Sequence, residues 1–259
     1  MTCVFVVLAG AACSSGSPTG GAGGNAGGGT TGTGGLGGAS SCGAAGTPTG
    51  GHQYCSYAQG TADGNYSYNL YTSGQGSACM TVYGVDGQFS ATWTNPGDFL
   101  ARVGLAFGSN KTYDQLGTIS AEFAETKTGT AGYNYIGIYG WSVNPLHEYY
   151  IVDDWFGSRP VPGDLAGTIS VDGDNYDVYT HTQTNQPAIT GGNATFVQFF
   201  SVRQNARACG TISVSQHFAA WAGMGMQLGN MEEARIVVEV GGGGTGTIAF
   251  TTATMTAGN

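Results

Sequence analysis

Two glutamates stand in stretches that otherwise read as strand. Glu148 lies in NPLHEYYIVDDW (Asn144 to Trp155), ringed by Leu146, Tyr149, Tyr150, Ile151 and Val152. Glu239 lies in RIVVEV, beside Val237, Val238 and Val240. Aromatic and β-branched residues favour the pleated backbone, whereas glutamate is depleted in strands and costly to bury unpaired. An edge strand with its carboxylate in water would accommodate either one. Two carboxylates flanking one site would instead suit hydrolysis of a glycosidic bond: one attacks or acts as base, and the other protonates the leaving oxygen.

Strands must position these groups, and side-chain alternation gives each strand two faces. Within Tyr133–Trp141, Tyr133, Tyr135, Tyr139 and Trp141 share one face with Gly137 between them, and Ile136 and Ile138 take the other. Rings bearing a hydroxyl or indole N–H suit sugars, because they stack on C–H faces while bonding hydroxyls. Glu148 shares its face with Leu146, Tyr150 and Val152, and Gln198 shares one with Phe196, Phe200 and Val202. In RIVVEV, Ile236, Val238 and Val240 form an apolar face opposite Arg235, Val237 and Glu239.

Further strands are expected near Tyr66–Tyr71, Ala78–Tyr83, Gln88–Asn95, Thr118–Glu125, Gly167–Val171, Asp174–Gln183, Thr195–Gln204 and Gly246–Thr254, most bounded by turn-forming residues. One segment differs. Ser215 to Met226 places Phe218, Trp221, Ala222 and Gly225 at helical spacing, with Ser213 or Ser215 as cap. Many strands with one helix predict an all-β, two-sheet sandwich with the helix packed against it. The run GGGGTG from Gly241 to Gly246 formally matches a dinucleotide fingerprint, but another strand follows where a helix is required, so it reads as a hairpin connection.

The chain has 259 residues, 48 of them Gly, a charged fraction of 9% and a net charge of −9. So few cations argue against nucleic acid as a partner, whereas an uncharged, hydroxyl-rich polymer meets no repulsion. Residues 1–13 hold a short apolar run ending in small residues, expected to be an export signal whose beginning is missing, since no Lys or Arg precedes the run. Cys13, followed by Ser, Ser and glycine-rich chain, is similar to the lipidated cysteine of a bacterial lipoprotein, although Gly10 stands where such signals carry Leu. A secreted form and a cell-surface form attached to the membrane through Cys13 both stay open. Residues 14–51, rich in Gly, Ala, Ser and Thr, are expected to be a flexible tether. Residues 52–256 are the expected catalytic domain. Cys42, Cys55, Cys79 and Cys209 suggest two disulfides in an exported chain; Cys42–Cys55 is favoured because both lie near its start, which leaves Cys79–Cys209. No C-x-x-C occurs, and His52, His147, His181 and His217 are scattered, so no metal site is expected.

Taken in order, YGWSVNPLHEYYIVDDW, YDVYTHTQTNQPAITGGNATFVQFFSVRQNAR, HFAAWAGMGMQLG and RIVVEV resemble the glycoside hydrolase family 11 endo-1,4-β-xylanases, with a likeness running from about Tyr66 to Thr256. The resemblance implies a single jelly roll of two twisted sheets with one helix, whose concave sheet forms a xylan-binding cleft. It implies Glu148 as nucleophile and Glu239 as general acid/base of a retaining mechanism, with carboxyl groups about 5–5.5 Å apart and no cofactor. Tyr139, Tyr150, Trp141 and Gln198 match residues around the reacting sugar, and Pro187 to Thr195, with Ile189, matches a thumb loop that closes over the chain. Asp98 matches a position that tunes the acid/base and implies an acidic optimum. Departures are Tyr71 for a stacking Trp, Gln183 for an arginine beneath the thumb, Glu233 for a tyrosine, and Val240-Gly241 for Gly-Tyr after the acid/base. A monomer is expected. The alternatives are a non-catalytic carbohydrate-binding jelly roll and a β-1,4-glucanase of similar fold.

Overall fold

A computed structural model describes Gly46 and residues 48–258. The expected export segment, Cys13, Cys42 and most of the expected tether lie outside the described residues. The described chain first forms β1 (His52–Tyr54), β2 (Ala58–Asp63), β3 (Tyr66–Thr72), β4 (Ser77–Val82), β5 (Phe89–Thr94) and β6 (Asp98–Ala106). After a short 3₁₀ turn come β7 (Thr118–Gly129), β8 (Tyr133–Val143), β9 (His147–Asp154), β10 (Asp164–Val171), β11 (Asp174–Pro187) and β12 (Asn193–Arg203). Then β13 (Cys209–Ile212) leads into helix α1 (Val214–Gly223), and β14 (Asn230–Gly241) and β15 (Thr245–Gly258) follow.

These strands make two sheets of jelly-roll type. Six pair in the order β1-β4-β5-β15-β7-β13, and nine in the order β10-β11-β12-β9-β8-β14-β6-β3-β2. The main core lies between them, where Ile136, Ile138, Ile151, Ile236, Val238 and Val240 meet Phe89, Trp93 and Phe250. Alternation therefore sends one face of β8, β9 and β14 into this core. The other face carries a second apolar cluster, built on Leu100, Tyr139, Trp141, Tyr150, Phe196 and Phe200. Those side chains are also buried, Tyr139 and Tyr150 to 3% exposure, although the six-stranded sheet lies on the opposite side. The nine-stranded sheet therefore curls over its own outer face, making a cleft whose floor is the second cluster. Right-handed strand twist supplies the curvature, and a register shift between Ile136 and Gly137 adds to it. A Cβ at Gly137 would stand 2.0 Å from the Ile151 carbonyl oxygen, so only glycine allows β8 and β9 to close there.

Helix α1 starts after Ser213, whose hydroxyl donates to Asp172 Oδ1 at 2.6 Å rather than capping the first turn. Phe218 and Trp221 enter the core, with the Phe218 ring edge-on to Tyr149 and Trp221 Nε1 donating to Ser201 Oγ at 2.9 Å. The glycine run after Glu239 is, as read from the sequence, the connection between β14 and β15.

The cysteine pairing departs from expectation. Cys55 bonds Cys79, which excludes both Cys42–Cys55 and Cys79–Cys209, and Cys209 is itself disulfide-bonded. Nearness in sequence misleads here because β1 pairs antiparallel with β4, with Tyr54 opposite Met80, so the residue after β1 arrives beside Cys79. Strands β1, β2, β6 and β13 are also absent from the sequence reading. Of these β6 matters most, since it carries Asp98 into the cleft.

Candidate active site

Register fixes which side chains meet on the cleft floor. Strand β8 lies between β9 and β14, with Trp141 opposite Glu148 on one side and Tyr135 opposite Glu239 on the other. Strand β12 runs parallel to β9 and sets Gln198 beside Glu148. Each carboxylate thus rises from a central, fully paired strand. Both are 7% exposed.

Glu148 accepts bonds at both oxygens. Tyr139 donates to Oε1 at 2.7 Å and Tyr150 to the same oxygen at 3.3 Å, while Gln198 Nε2 donates to Oε2 at 2.6 Å. A second ring of contacts holds these donors. Trp141 Nε1 donates to the Tyr139 hydroxyl at 2.5 Å, and Gln183 Nε2 to Gln198 Oε1 at 3.1 Å. The Tyr150 ring stacks on Phe200 at 4.7 Å, and Trp141 meets Phe196 edge-on at 4.7 Å. Burial pushes the Glu148 carboxyl above its usual range, while Tyr139, Gln198, Arg102 and Tyr150 pull it back. The result is a carboxylate equipped to hold a negative charge in a dry place.

Glu239 is treated differently. Its Oε2 is buried without a hydrogen-bond partner among the described residues. Burial raises its pKa well above the usual range, the Asp98 and Glu148 charges add to the rise, and Tyr150 and Arg102 oppose it. Tyr150, hydrogen-bonded to Glu148, also bears electrostatically on Glu239, so one hydroxyl influences both carboxyl groups. One site therefore holds a carboxyl whose hydrogen bonds favour its charged form and another whose burial and neighbouring charges favour its proton. That division of labour is what acid-assisted displacement at an acetal carbon requires.

The remaining expected residues fall at increasing distance from this pair. Asp98 sits at the start of β6 opposite Gly241, and its Oδ1 accepts from the Tyr133 hydroxyl at 2.9 Å. Its own pKa is raised by burial, and it acts on Glu239 through charge, its side-chain hydrogen bond going to Tyr133. Tyr71, on β3 opposite Leu100, packs against the floor cluster at the far side of the sheet. Pro187 ends β11 opposite Asn193, and Ile189 sits in the hairpin turn beyond it, 38% exposed. That turn closes through Ala188 N–H to the Gly192 carbonyl and lies apart from the bonds that hold Glu148. Among the described residues no group of three or more His, Cys, Asp or Glu could hold a metal ion.

Sequence reading missed Arg102. Its guanidinium lies 4.5 Å from the Tyr139 ring centre and 3.6 Å from Glu233, which also pairs with Arg235 at 3.0 Å. The signal was present, since alternation in DFLARVGLA places Asp98, Leu100 and Arg102 on one face and Phe99, Ala101 and Val103 on the other.

The model of glycosyl hydrolases family 11 matches residues 63–251, most of the chain. The chain belongs to that family. This family 11 member is 48% identical over 172 residues to endo-1,4-beta-xylanase C of Fibrobacter succinogenes, an alignment spanning 65% of this chain and 28% of that protein. It is 45% identical over 164 residues to endo-1,4-beta-xylanase A of Bacillus pumilus, covering 63% of this chain and 70% of the relative. Against several of the curated relatives, this family 11 chain spans less than two thirds of their length. Among solved structures, an engineered ENZbleach xylanase superposes with a TM-score of 0.78 at 39% identity, covering 85% of this chain and 90% of that one.

Proposed function

We propose that this protein is a retaining endo-1,4-β-xylanase. The observation that carries the reading is the pair of buried glutamates on one cleft floor, Glu148 hydrogen-bonded at both oxygens and Glu239 with its pKa raised by burial and by the Asp98 and Glu148 charges. In the first step a Glu148 oxygen attacks the anomeric carbon, and the bond to the leaving oxygen breaks as that oxygen takes the Glu239 proton. In the second step Glu239, now a carboxylate, removes a proton from water. The water oxygen bonds the anomeric carbon, and the electron pair of the ester bond returns to Glu148, so configuration is retained. Tyr139, Tyr150 and Gln198 hold the nucleophile in line, and Trp141, Phe196 and Tyr71 offer rings to the sugars. Asp98 tunes Glu239. Pro187 and Ile189 form the hairpin tip that folds over the bound chain.

Reducing-sugar release from xylan and from soluble cellulose, measured side by side, tests the reading. Release from xylan alone is expected, with loss of about four orders of magnitude or more in Glu148→Gln and Glu239→Gln. Binding of xylan without release would favour a carbohydrate-binding protein, and release from cellulose a glucanase. The same reading takes the protein to be a monomer acting outside the cell, either secreted or held at the surface through a lipidated Cys13, with residues 14–51 as a passive tether. A chain beginning at His52 should therefore keep its activity on soluble xylan. Folded protein that has lost all activity on this truncation would contradict a passive tether.

A further inference from the structure

The cations of this chain are few, and their partners are unevenly shared. The sequence holds seven Lys and Arg, and six of them, all but Lys111, form ion pairs among the described residues. Lys127 has Glu125 and Asp154, Arg207 has Asp153 and Asp172, Arg159 has Asp177, and Arg203 has Asp174. In the cleft, Arg102 and Arg235 share one ion-pair partner among the described residues, Glu233. The three side chains are 12%, 9% and 5% exposed, so the cluster carries one uncompensated positive charge in a nearly dry site. It is not relieved by hydrogen bonds: Arg102 Nε, Arg235 Nε and Nη1, and Glu233 Oε1 are all buried without a hydrogen-bond partner among the described residues. A surplus charge buried in this way costs several kcal/mol unless an opposite charge stands nearby.

That charge is on the next strands. Tyr139 presents its ring face to the Arg102 guanidinium at 4.5 Å and its hydroxyl proton to Glu148 Oε1 at 2.7 Å. A cation over a phenol ring withdraws electron density and makes the hydroxyl a stronger donor. We propose that Arg102 is a positioning residue, the counter-ion of the Glu148 carboxylate acting through Tyr139, and that Glu233 and Arg235 hold it in place. The proposal rests on the retaining reading given above. It extends that reading to the second step. While Glu148 is esterified the cluster again carries its surplus charge, so the departure of the Glu148 carboxylate from the anomeric carbon restores the balance.

The groups facing Glu148 define the test. From β8 and β9 come the phenols of Tyr135, Tyr139 and Tyr150. From β6 and β14 come Arg102, Asp98, Glu239 and the Glu233–Arg235 pair, while β12 contributes only the neutral Gln198. Arg102 bears on Glu148 through Tyr139, and Glu233 pairs with Arg102 at 3.6 Å. Removing one or the other should therefore move the ionisation of Glu148 in opposite directions.

Carbon-13 labelling of the glutamate carboxyls allows Glu148 to be titrated directly by NMR, assigned with Glu148→Gln, with no need of activity. Arg102→Gln should raise its midpoint by about one pH unit, and Glu233→Gln should lower it by a similar amount. Arg102→Lys, which keeps the charge, should stay within a few tenths of the parent on the same scale. With a dinitrophenyl xylobioside, Arg102→Gln should show a burst of phenol followed by slower turnover, kcat and KM falling together as the glycosyl-enzyme accumulates. A midpoint that moves the same way in Arg102→Gln and Glu233→Gln, or in neither, overturns the proposal, because a packing defect has no sign. If the parent releases neither phenol nor reducing sugar, the retaining reading fails while the titration still decides the counter-ion.

Discussion

Replacing Gln198 with methionine keeps the length of the side chain and removes one donor. In the parent, Gln198 Nε2 stands 2.6 Å from Glu148 Oε2, whereas both tyrosine bonds go to Oε1. The variant therefore leaves Oε2 of a buried carboxylate bare. A hydrogen bond to a charged group contributes about 1.5–3 kcal/mol, more when buried than when wet. At about 1.4 kcal/mol per pKa unit, its loss should raise the Glu148 pKa by about 1–2 units, on top of the rise that burial already causes. Glu148 must be ionised to attack, so the acid limb of kcat/KM against pH should move upward by that amount. Stability carries the same signature. A carboxyl whose folded pKa exceeds its unfolded one contributes stability below the unfolded value, about 4.3, and loses it as pH rises through the folded value. The variant should thus be less stable than the parent once pH exceeds the folded pKa values of both, by about 1.5–3 kcal/mol or roughly 3–12 °C in Tm, with the gap closing as pH falls through those values. The assay is kcat/KM for a soluble xylo-oligosaccharide across pH, paired with thermal unfolding. An acid limb that superimposes on that of the parent would show that this bond does not set the charge on Glu148.

Asp98→Asn should move the alkaline limb upward, because a singly protonated Asp98–Glu239 pair can hold its proton on Asp98, whereas an amide leaves Glu239 to titrate alone; superimposable pH–rate profiles would remove Asp98 from the acid/base. Replacing Cys55 and Cys79 together by alanine opens a bridge with a sequence separation of 24. The chain-entropy estimate for such a loop is about 3.5 kcal/mol, so Tm should drop while kcat/KM at 25 °C holds, and a large loss of kcat/KM in folded protein would contradict the placement of this bridge away from the cleft. Glu125 is pushed up to about 7, first by burial and then by a hydrogen bond with Asp154. Its contribution to stability is complete below its unfolded pKa near 4.3 and is lost as pH rises through about 7. Glu125→Gln should therefore gain on the parent between pH 4 and pH 8, by on the order of 1–3 kcal/mol in urea unfolding, and parallel stability curves would refute it.

The two-faced strands were legible because their sequences alternate cleanly. YNYIGIYGW and RIVVEV declare a core face and an aromatic or charged face, and the structure separates those sets into two clusters. The glutamates drew attention for the same reason, as charges where a strand would otherwise carry none. Strand β6 was not read because Leu100 puts an apolar side chain on the polar face and blurs the alternation of DFLARVGLA, and with it Arg102 was lost. Strands β1 and β2 are short and largely polar, with no residue buried, so their pairing comes from neighbours rather than from their own pattern. The disulfide was misassigned because connectivity depends on sheet order, which local sequence does not encode. The bond from Tyr133 to Asp98 belongs to the same class, since it joins strands on either side of β14.

Strand β14 shows how the fold constrains change in length. Along this strand core and cleft residues alternate one by one, Ile236, Val238 and Val240 inward and Arg235, Val237 and Glu239 outward. Deleting a single residue upstream within the strand would exchange the two sets, driving Glu239 between the sheets and turning a valine into the cleft. Substitution can therefore explore this surface freely, while insertion and deletion are confined to places where the two-residue rhythm has lapsed. The turn from Ala188 to Gly192 and the glycines from Gly242 to Gly244 are two such places. Descendants of this chain that differ in length should carry the difference there, and a library that varies loop length at these turns should yield folded protein far more often than one that shortens β14.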